Sequence, residues 1–358
     1  MIRVLVSNIA LPNSQIGSWT NRISRFLENH PDFFSFILSP NKELTKKHIY
    51  CKKRARIPLI PKRLHKWETF YFRAQLYLKE FKKIHQNHSQ IQVLVIDDLM
   101  LLEAFALLKE KGYFFELVFS FHGHSFILPK SWGKFVDKVL FLTKSGYMDS
   151  FQKSEEFSPM VSIMGNGVDS NIFFPLSRSE KESRKLELGF SLNSKILVWM
   201  SNNRPKKGIH VFSELAKRLL KRYPELHILV IGAELNAAEF PGRIHSVGRI
   251  PNIELPRYLQ AGDFYAFTSL WQEGFGLSLA EAVKCGNIAI ASRVGGVSDV
   301  LNEVPSAVLV DQPNRIEVWE KAFDRAWKSL DQFNPDPIML RRIHDLNSWE
   351  QNYISFLQ

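Results

Sequence analysis

The chain has 358 residues, 45% of them hydrophobic, with 47 Lys and Arg against 36 Asp and Glu, a formal net charge of +11 and two cysteines. That length and apolar content exclude a disordered chain and favour two packed domains, while Cys51 and Cys285, far apart and without metal-ligand neighbours, exclude a disulfide framework or zinc site and fit a reducing compartment. No run of about 18 apolar residues occurs, so no membrane span is expected, and the opening "MIRVLVSNIA" reads as a buried strand, not a targeting segment.

From the N-terminus, short β-branched runs alternate with amphipathic stretches: "IRVLVSNIA" then "SWTNRISRFLENH", "IQVLVIDDL" then "LLEAFALLKEKG", followed by "FELVFSFHG" and "KVLFLTKSG". Such alternation predicts a parallel sheet covered by helices. Within this half, residues 42 to 84 hold fourteen Lys or Arg against three Glu, which is the whole excess of positive charge. Trp67, Phe70, Tyr71, Phe72 and Tyr77 interleave with these cations. The mixture fits an anionic membrane surface, where each cation gains about 1 kcal/mol; the alternative is a solvated basic helix pair with core aromatics. No nucleic-acid-binding module surrounds the patch, so nucleic acid is not expected as a partner.

After a polar, proline-containing junction near residues 171 to 185, the pattern restarts with "KILVWMSNN", "KGIHVFSELAKRLLKRYP", "LHILVIGA", "IHSVGRI", "LPRYLQAGDFYAFTS" and "SLWQEGFGLSLAEAVKCGNIAIASRVGG". The expected fold class is α/β, with two Rossmann-like domains facing a central cleft: residues 1–173, residues 174–340, and a terminal helix in 341–358 returning to the first domain. Ligands of open parallel sheets lie beyond the carboxyl ends of the strands. The turns to watch are therefore Ser7 to Gly17, Phe121 to Ser125, Met200 to Gly208, Gly232 to Leu235 and Ser269 to Gly276.

In the last of these turns, Glu273 and Glu281 flank Gly274-Phe275-Gly276, and a helix is predicted from about Leu277 to Lys284, stopped by Gly286. The first free N–H groups of such a helix attract an anion, and glycines let the backbone approach it. Carboxylates repel a phosphate but accept hydrogen bonds from neighbouring sugar hydroxyls. The pattern divides the labour: backbone for phosphate, Glu273 and Glu281 for sugar.

The segment "EGFGLSLAE" followed by "ASRVGGVSDVL", preceded in order by "NGVDSNIFFP", "KKGIHVF", "VIGA", "VGRIP" and "YLQAGDFYAFTS", resembles glycosyltransferase family 4 across essentially all of the second domain. The first domain matches more loosely. The resemblance implies a GT-B fold and a retaining enzyme that transfers a hexosyl unit from a nucleotide-sugar donor to a glycan or lipid-linked acceptor. The setting would be cell-surface polysaccharide or lipopolysaccharide synthesis, in the cytoplasm and at the inner face of the plasma membrane.

By position, Glu281 would bind the ribose hydroxyls, Glu273 a hydroxyl of the donor sugar, and the backbone of Phe275, Gly276 and Leu277 the sugar and phosphate. Lys207 matches the family lysine beside the diphosphate; Asn202 occupies the place of the family arginine, leaving Arg204 or Lys206 as the partner of Lys207. His122 ends a strand where the family places a histidine that reaches the donor sugar, and His124 shares that context. Gly17 lies in "NSQIGSW", which resembles the family's glycine-rich phosphate and acceptor loop but has Ser18 in place of a second glycine. No Asp-x-Asp motif follows a strand, since Asp97 and Asp98 are adjacent, so neither a metal nor a cofactor is expected. Lys207 and Arg204 would stabilise the leaving diphosphate, and the leaving phosphate would itself help deprotonate the acceptor. The alternatives are a sugar-nucleotide epimerase of the same fold and a noncatalytic basic protein that binds a membrane surface or nucleic acid.

Overall fold

A computed structural model describes residues 1–12, 18–42, 47–51, 74–302, 304 and 307–358. It divides into two compact units, Met1–Met164 and Gly165–Gln358. The division falls earlier than 173, and Val168 and Ser170 are hydrogen-bonded to the C-terminal segment. Val168 donates its N–H to the His344 carbonyl (2.7 Å) and accepts from the Leu346 N–H (3.1 Å), while the Ser170 hydroxyl donates to Asp345 (2.7 Å). Residues 341–358, including the helix Leu346–Leu357, fall in the second unit.

In the first unit, β1 (Ile2–Ser7), β2 (Phe36–Ser39), β3 (His48–Tyr50), β4 (Ile91–Ile96), β5 (Glu116–Ser120), β6 (Lys138–Phe141) and β7 (Met160–Ile163) form a parallel sheet in the order β3-β2-β1-β4-β5-β6-β7. Every residue of β4 is buried, as a strand covered by helices on both faces must be. The helix Leu99–Glu110 follows β4 and begins where the Asp98 carboxylate accepts the Leu101 N–H at 2.9 Å, an N-cap. Chain direction across the sheet reverses between β1 and β4.

In the second unit, β8 (Lys195–Met200), β9 (Leu226–Ile231), β10 (Ile244–Ser246), β11 (Phe264–Phe267), β12 (Ile288–Ser292) and β13 (Val308–Val310) form a parallel sheet in the order β10-β9-β8-β11-β12-β13. Here the reversal lies between β8 and β11, with Phe264 opposite Leu197 and Tyr265 opposite Val198. The helix Ile209–Arg222 buries Val211, Phe212, Leu215, Ala216, Leu219 and Leu220 on one stripe, in a core shared with Trp319 and Phe323. Each large apolar side chain so enclosed contributes about 1.5–3 kcal/mol.

One charged residue is built into this interior. Lys284, at the end of the helix Leu277–Lys284, is 0% exposed and donates to the carbonyls of Leu340 (3.0 Å), Arg341 (3.1 Å) and Ile343 (2.7 Å). These carbonyls close the helix Pro337–Arg342, whose C-terminal end favours a cation. Burial draws the Lys284 pKa down to about 8, opposed by Asp345 and Asp169. An ammonium has three donors, and all three are used here. Lys284→Met is expected to cost about 2–4 kcal/mol, because the carbonyls lose their donor inside the protein. Urea unfolding measures this directly; an unchanged midpoint would show that the contact is incidental.

Candidate active site

In the second unit, the turn after β8 and the loop after β11 are joined by backbone. The Leu270 N–H donates to the Lys206 carbonyl (2.8 Å), and the Thr268 hydroxyl reaches the carbonyls of Lys207 (3.2 Å) and Gly208 (3.1 Å). Gly208 has φ 72°, and a β-carbon there would lie 1.8 Å from the Thr268 carbonyl oxygen. Only glycine allows both the conformation and the approach.

This junction carries Lys207 to Glu273. The Lys207 Nζ lies 2.5 Å from Glu273 Oε1, and the Ser269 hydroxyl donates to the same oxygen at 2.5 Å. Both charged side chains are largely covered, at 24% and 13% exposure. The Glu273 carbonyl accepts the Gly296 N–H at 2.8 Å, and a β-carbon on Gly295 (φ 55°) would stand 2.3 Å from that carbonyl oxygen. Glu273 is therefore fixed through its backbone as well as its head group. Its second oxygen makes no hydrogen bond among the described residues, which leaves an acceptor for a ligand hydroxyl.

The predicted helix is present with the expected bounds, Leu277–Lys284, entered through Gly276 at φ 86°. Glu281 is half-buried on its second turn. Tyr265, fully buried on β11, donates to the Met200 carbonyl at 3.3 Å. Burial raises its phenol far above the ordinary range, and the negative charges of Glu281 and Glu273 add to the rise. Phe275 turns its ring into the core, edge-on to His344 at 5.0 Å, so only its backbone is left for a ligand. Arg204 is exposed, and the Lys206 ammonium lies 5.1 Å over the ring of Trp271. Neither joins the Lys207–Glu273 pair.

In the first unit, the turns after β4 and β5 meet. His122 stacks on Trp19 of the helix Ser18–Asn29 at 5.0 Å, and its Nε2 lies 3.2 Å from the Ser120 hydroxyl. Burial, aided by the nearby Arg22 charge, holds the His122 pKa down at about 3, so the ring is neutral. His124 faces Asp149 instead, at 3.7 Å. Asp97 accepts the His122 N–H at 3.0 Å from a left-handed backbone, φ 51°. Burial raises its pKa to about 6, with the Asp98 charge adding and the His122 hydrogen bond opposing. Gly17 lies outside the described residues. Among the described residues, no three His, Cys, Asp or Glu side chains are gathered to hold a metal.

Residues 180–332 match the model of the family "Glycosyl transferases group 1". This match lies wholly within the second unit. The chain is 26% identical over 212 residues to the D-inositol 3-phosphate glycosyltransferase of Corynebacterium urealyticum, covering 55% of this chain and 50% of that protein. It is 24% identical over 249 residues to the putative glycosyltransferase YtcC of Bacillus subtilis, covering 61% and 60%. The chain thus spans about half the length of the curated relatives it matches. Among solved structures, sucrose-phosphate synthase of Thermosynechococcus elongatus superposes with a TM-score of 0.73 at 14% identity, covering 99% of this chain and 98% of that one. Anabaena Alr3699/HepE in complex with UDP superposes with a TM-score of 0.68 at 16% identity, covering 100% and 99%. The fold is GT-B.

Sequence reasoning missed Ser269 and Asp97. Ser269 follows β11 by two residues, a position that parallel-sheet topology singles out. Asp97 directly follows β4, and an acidic residue at a strand's carboxyl end was a visible signal. Because its folded pKa is raised from the ordinary 3.8 to about 6, Asp97 favours the folded state at low pH, and that contribution is lost as pH rises through 6. Asn accepts the same N–H and tolerates positive φ. Asp97→Asn is therefore expected to gain about 2 kcal/mol on the parent between pH 4 and pH 7. Thermal melts across that range test this, and parallel curves would refute it.

Proposed function

We propose that this protein is a glycosyltransferase that moves a hexosyl unit from a nucleotide-sugar donor to a glycan or lipid-linked acceptor, with retention of configuration and without a metal. The reading is carried by the Lys207–Glu273 pair at the β8/β11 reversal, in the same loop system as the Glu281 helix. In this reading the N–H groups at Gly276 to Leu277 receive phosphate, Glu281 the ribose, and the open oxygen of Glu273 a sugar hydroxyl. Lys207 is held ready by Glu273 and takes up the charge that grows on the leaving diphosphate, a fixed cation needing little reorganisation. Arg204, exposed on the same turn, adds positive potential. His122, neutral, serves the donor sugar as a hydrogen-bonding group.

The Anabaena protein of similar fold, solved in complex with UDP and with UDP-glucose, supports uridine donors as the first to test. The basic segment from 42 to 84 supports a place at the inner face of the plasma membrane, in cell-surface glycan synthesis; most of it, including Lys52, Lys53, Arg54 and Arg56, lies outside the described residues. Among the described residues no helix is long and apolar enough to cross a membrane.

A calorimetric panel of nucleotide sugars is the direct test. Glu281→Ala is expected to weaken binding of the best donor about tenfold or more; equal affinity would remove Glu281 from the ribose. Lys207→Ala is expected to lower turnover about a hundredfold with a smaller change in donor affinity, and unchanged turnover would reject its role. EDTA is expected to leave activity intact; loss restored by magnesium or manganese would overturn the metal-free mechanism.

A further inference from the structure

Two polar groups in the first unit are not used by the fold. Asp97 Oδ1 accepts the His122 N–H, while its other oxygen makes no hydrogen bond among the described residues. His122 Nδ1 is buried without a partner. Both residues stand at the carboxyl ends of β4 and β5, and β4 borders the reversal with β1, where ligands of such sheets collect. An unpartnered buried ring nitrogen and a neighbouring non-glycine residue at positive φ both work against folding, and their meeting in one place asks for a functional reason.

The fold does not require a carboxylate at 97. The helix Leu99–Glu110 is capped by Asp98, and the Asp97 N–H bond to the Ser120 carbonyl (3.0 Å) is open to any residue but proline. A cation is a poor occupant: Asp98 is committed through one oxygen to the Leu101 N–H and through the other to the Asn8 side-chain amide, so only one carboxylate oxygen is left. A phosphate would be repelled. A hydroxyl, donating to the free oxygen, fits.

We propose that Asp97 is a substrate-binding residue whose free oxygen accepts a hydrogen bond from a sugar hydroxyl beside His122. The assignment rests on the glycosyl-transfer reading. The hydroxyl belongs either to the sugar being transferred or to the incoming acceptor, and the two are separable.

The test compares parent and Asp97→Asn, which retains an acceptor for the His122 N–H, with UDP and UDP-glucose, GDP and GDP-mannose, and ADP and ADP-glucose as probes in calorimetry. Nucleotide release in water, which stands in for the acceptor hydroxyl, is followed in parallel. Bare-nucleotide affinity is expected to be unchanged. If the hydroxyl is the donor sugar's, Asp97→Asn binds the nucleotide sugar about five- to tenfold more weakly. If it is the acceptor's, donor affinity holds and nucleotide release falls about tenfold or more. Equal affinities together with equal release would overturn the assignment, as would an equal loss for nucleotide and nucleotide sugar. A parent that binds none of the probes would sink the glycosyl-transfer reading and this assignment with it, whereas a parent that binds alongside an indistinguishable variant sinks the assignment alone.

Discussion

The close approach of the Gly208 backbone to the Thr268 carbonyl governs the second unit. Neighbouring strands β8 and β11 are distant in sequence, and the contact that fastens their following turns has no room for a β-carbon. Lys207 reaches Glu273 across 66 positions because this junction is closed. Removing two charges from water costs much of what their attraction returns. The pair is therefore better viewed as an arrangement imposed by backbone packing than as a source of stability. Ser269 and the Gly295–Gly296 turn complete the constraint by fixing both ends of Glu273.

The helix Leu277–Lys284 was legible because its determinants are local: glycines on either side and apolar residues at helical spacing between them. The α/β class was legible for the same reason, in strand-like runs alternating with amphipathic ones. Long-range pairing was not. Nothing near Lys207 reveals whether Arg204 or Lys206 turns toward it, and the structure sends Lys206 to Trp271 and Arg204 to solvent. His122 and His124 look equivalent in "FHGHSF" and separate only because one meets Trp19 and the other Asp149. The first unit ends at Met164 rather than 173, and Val168 and Ser170 are hydrogen-bonded to residues of the distant C-terminal segment.

Each unit, taken by itself, places a carboxylate near the point where its sheet reverses direction, and each leaves one carboxylate oxygen open. The surroundings differ. Glu273 is balanced by an ammonium and a hydroxyl, so ionisation there is well supported. Asp97 has a backbone N–H and an acidic neighbour, so its charge is tolerated rather than stabilised. Such a residue weakens the fold it belongs to, and groups of this kind tend to gather where a protein does chemistry.

The buried ammonium of Lys284 has a consequence for synthesis. The helix bearing Glu281 ends on a charge whose three acceptors lie between residues 340 and 343. While the ribosome is still translating the intervening stretch, that charge has no enclosed partners and the helix has no reason to dock. Domains are generally completed as units during translation. The helix Leu277–Lys284 must instead wait for residues 340 to 343 to emerge before it can settle, and a stall or frameshift before residue 340 would leave Glu273 and Glu281 in a chain whose buried ammonium lacks its acceptors.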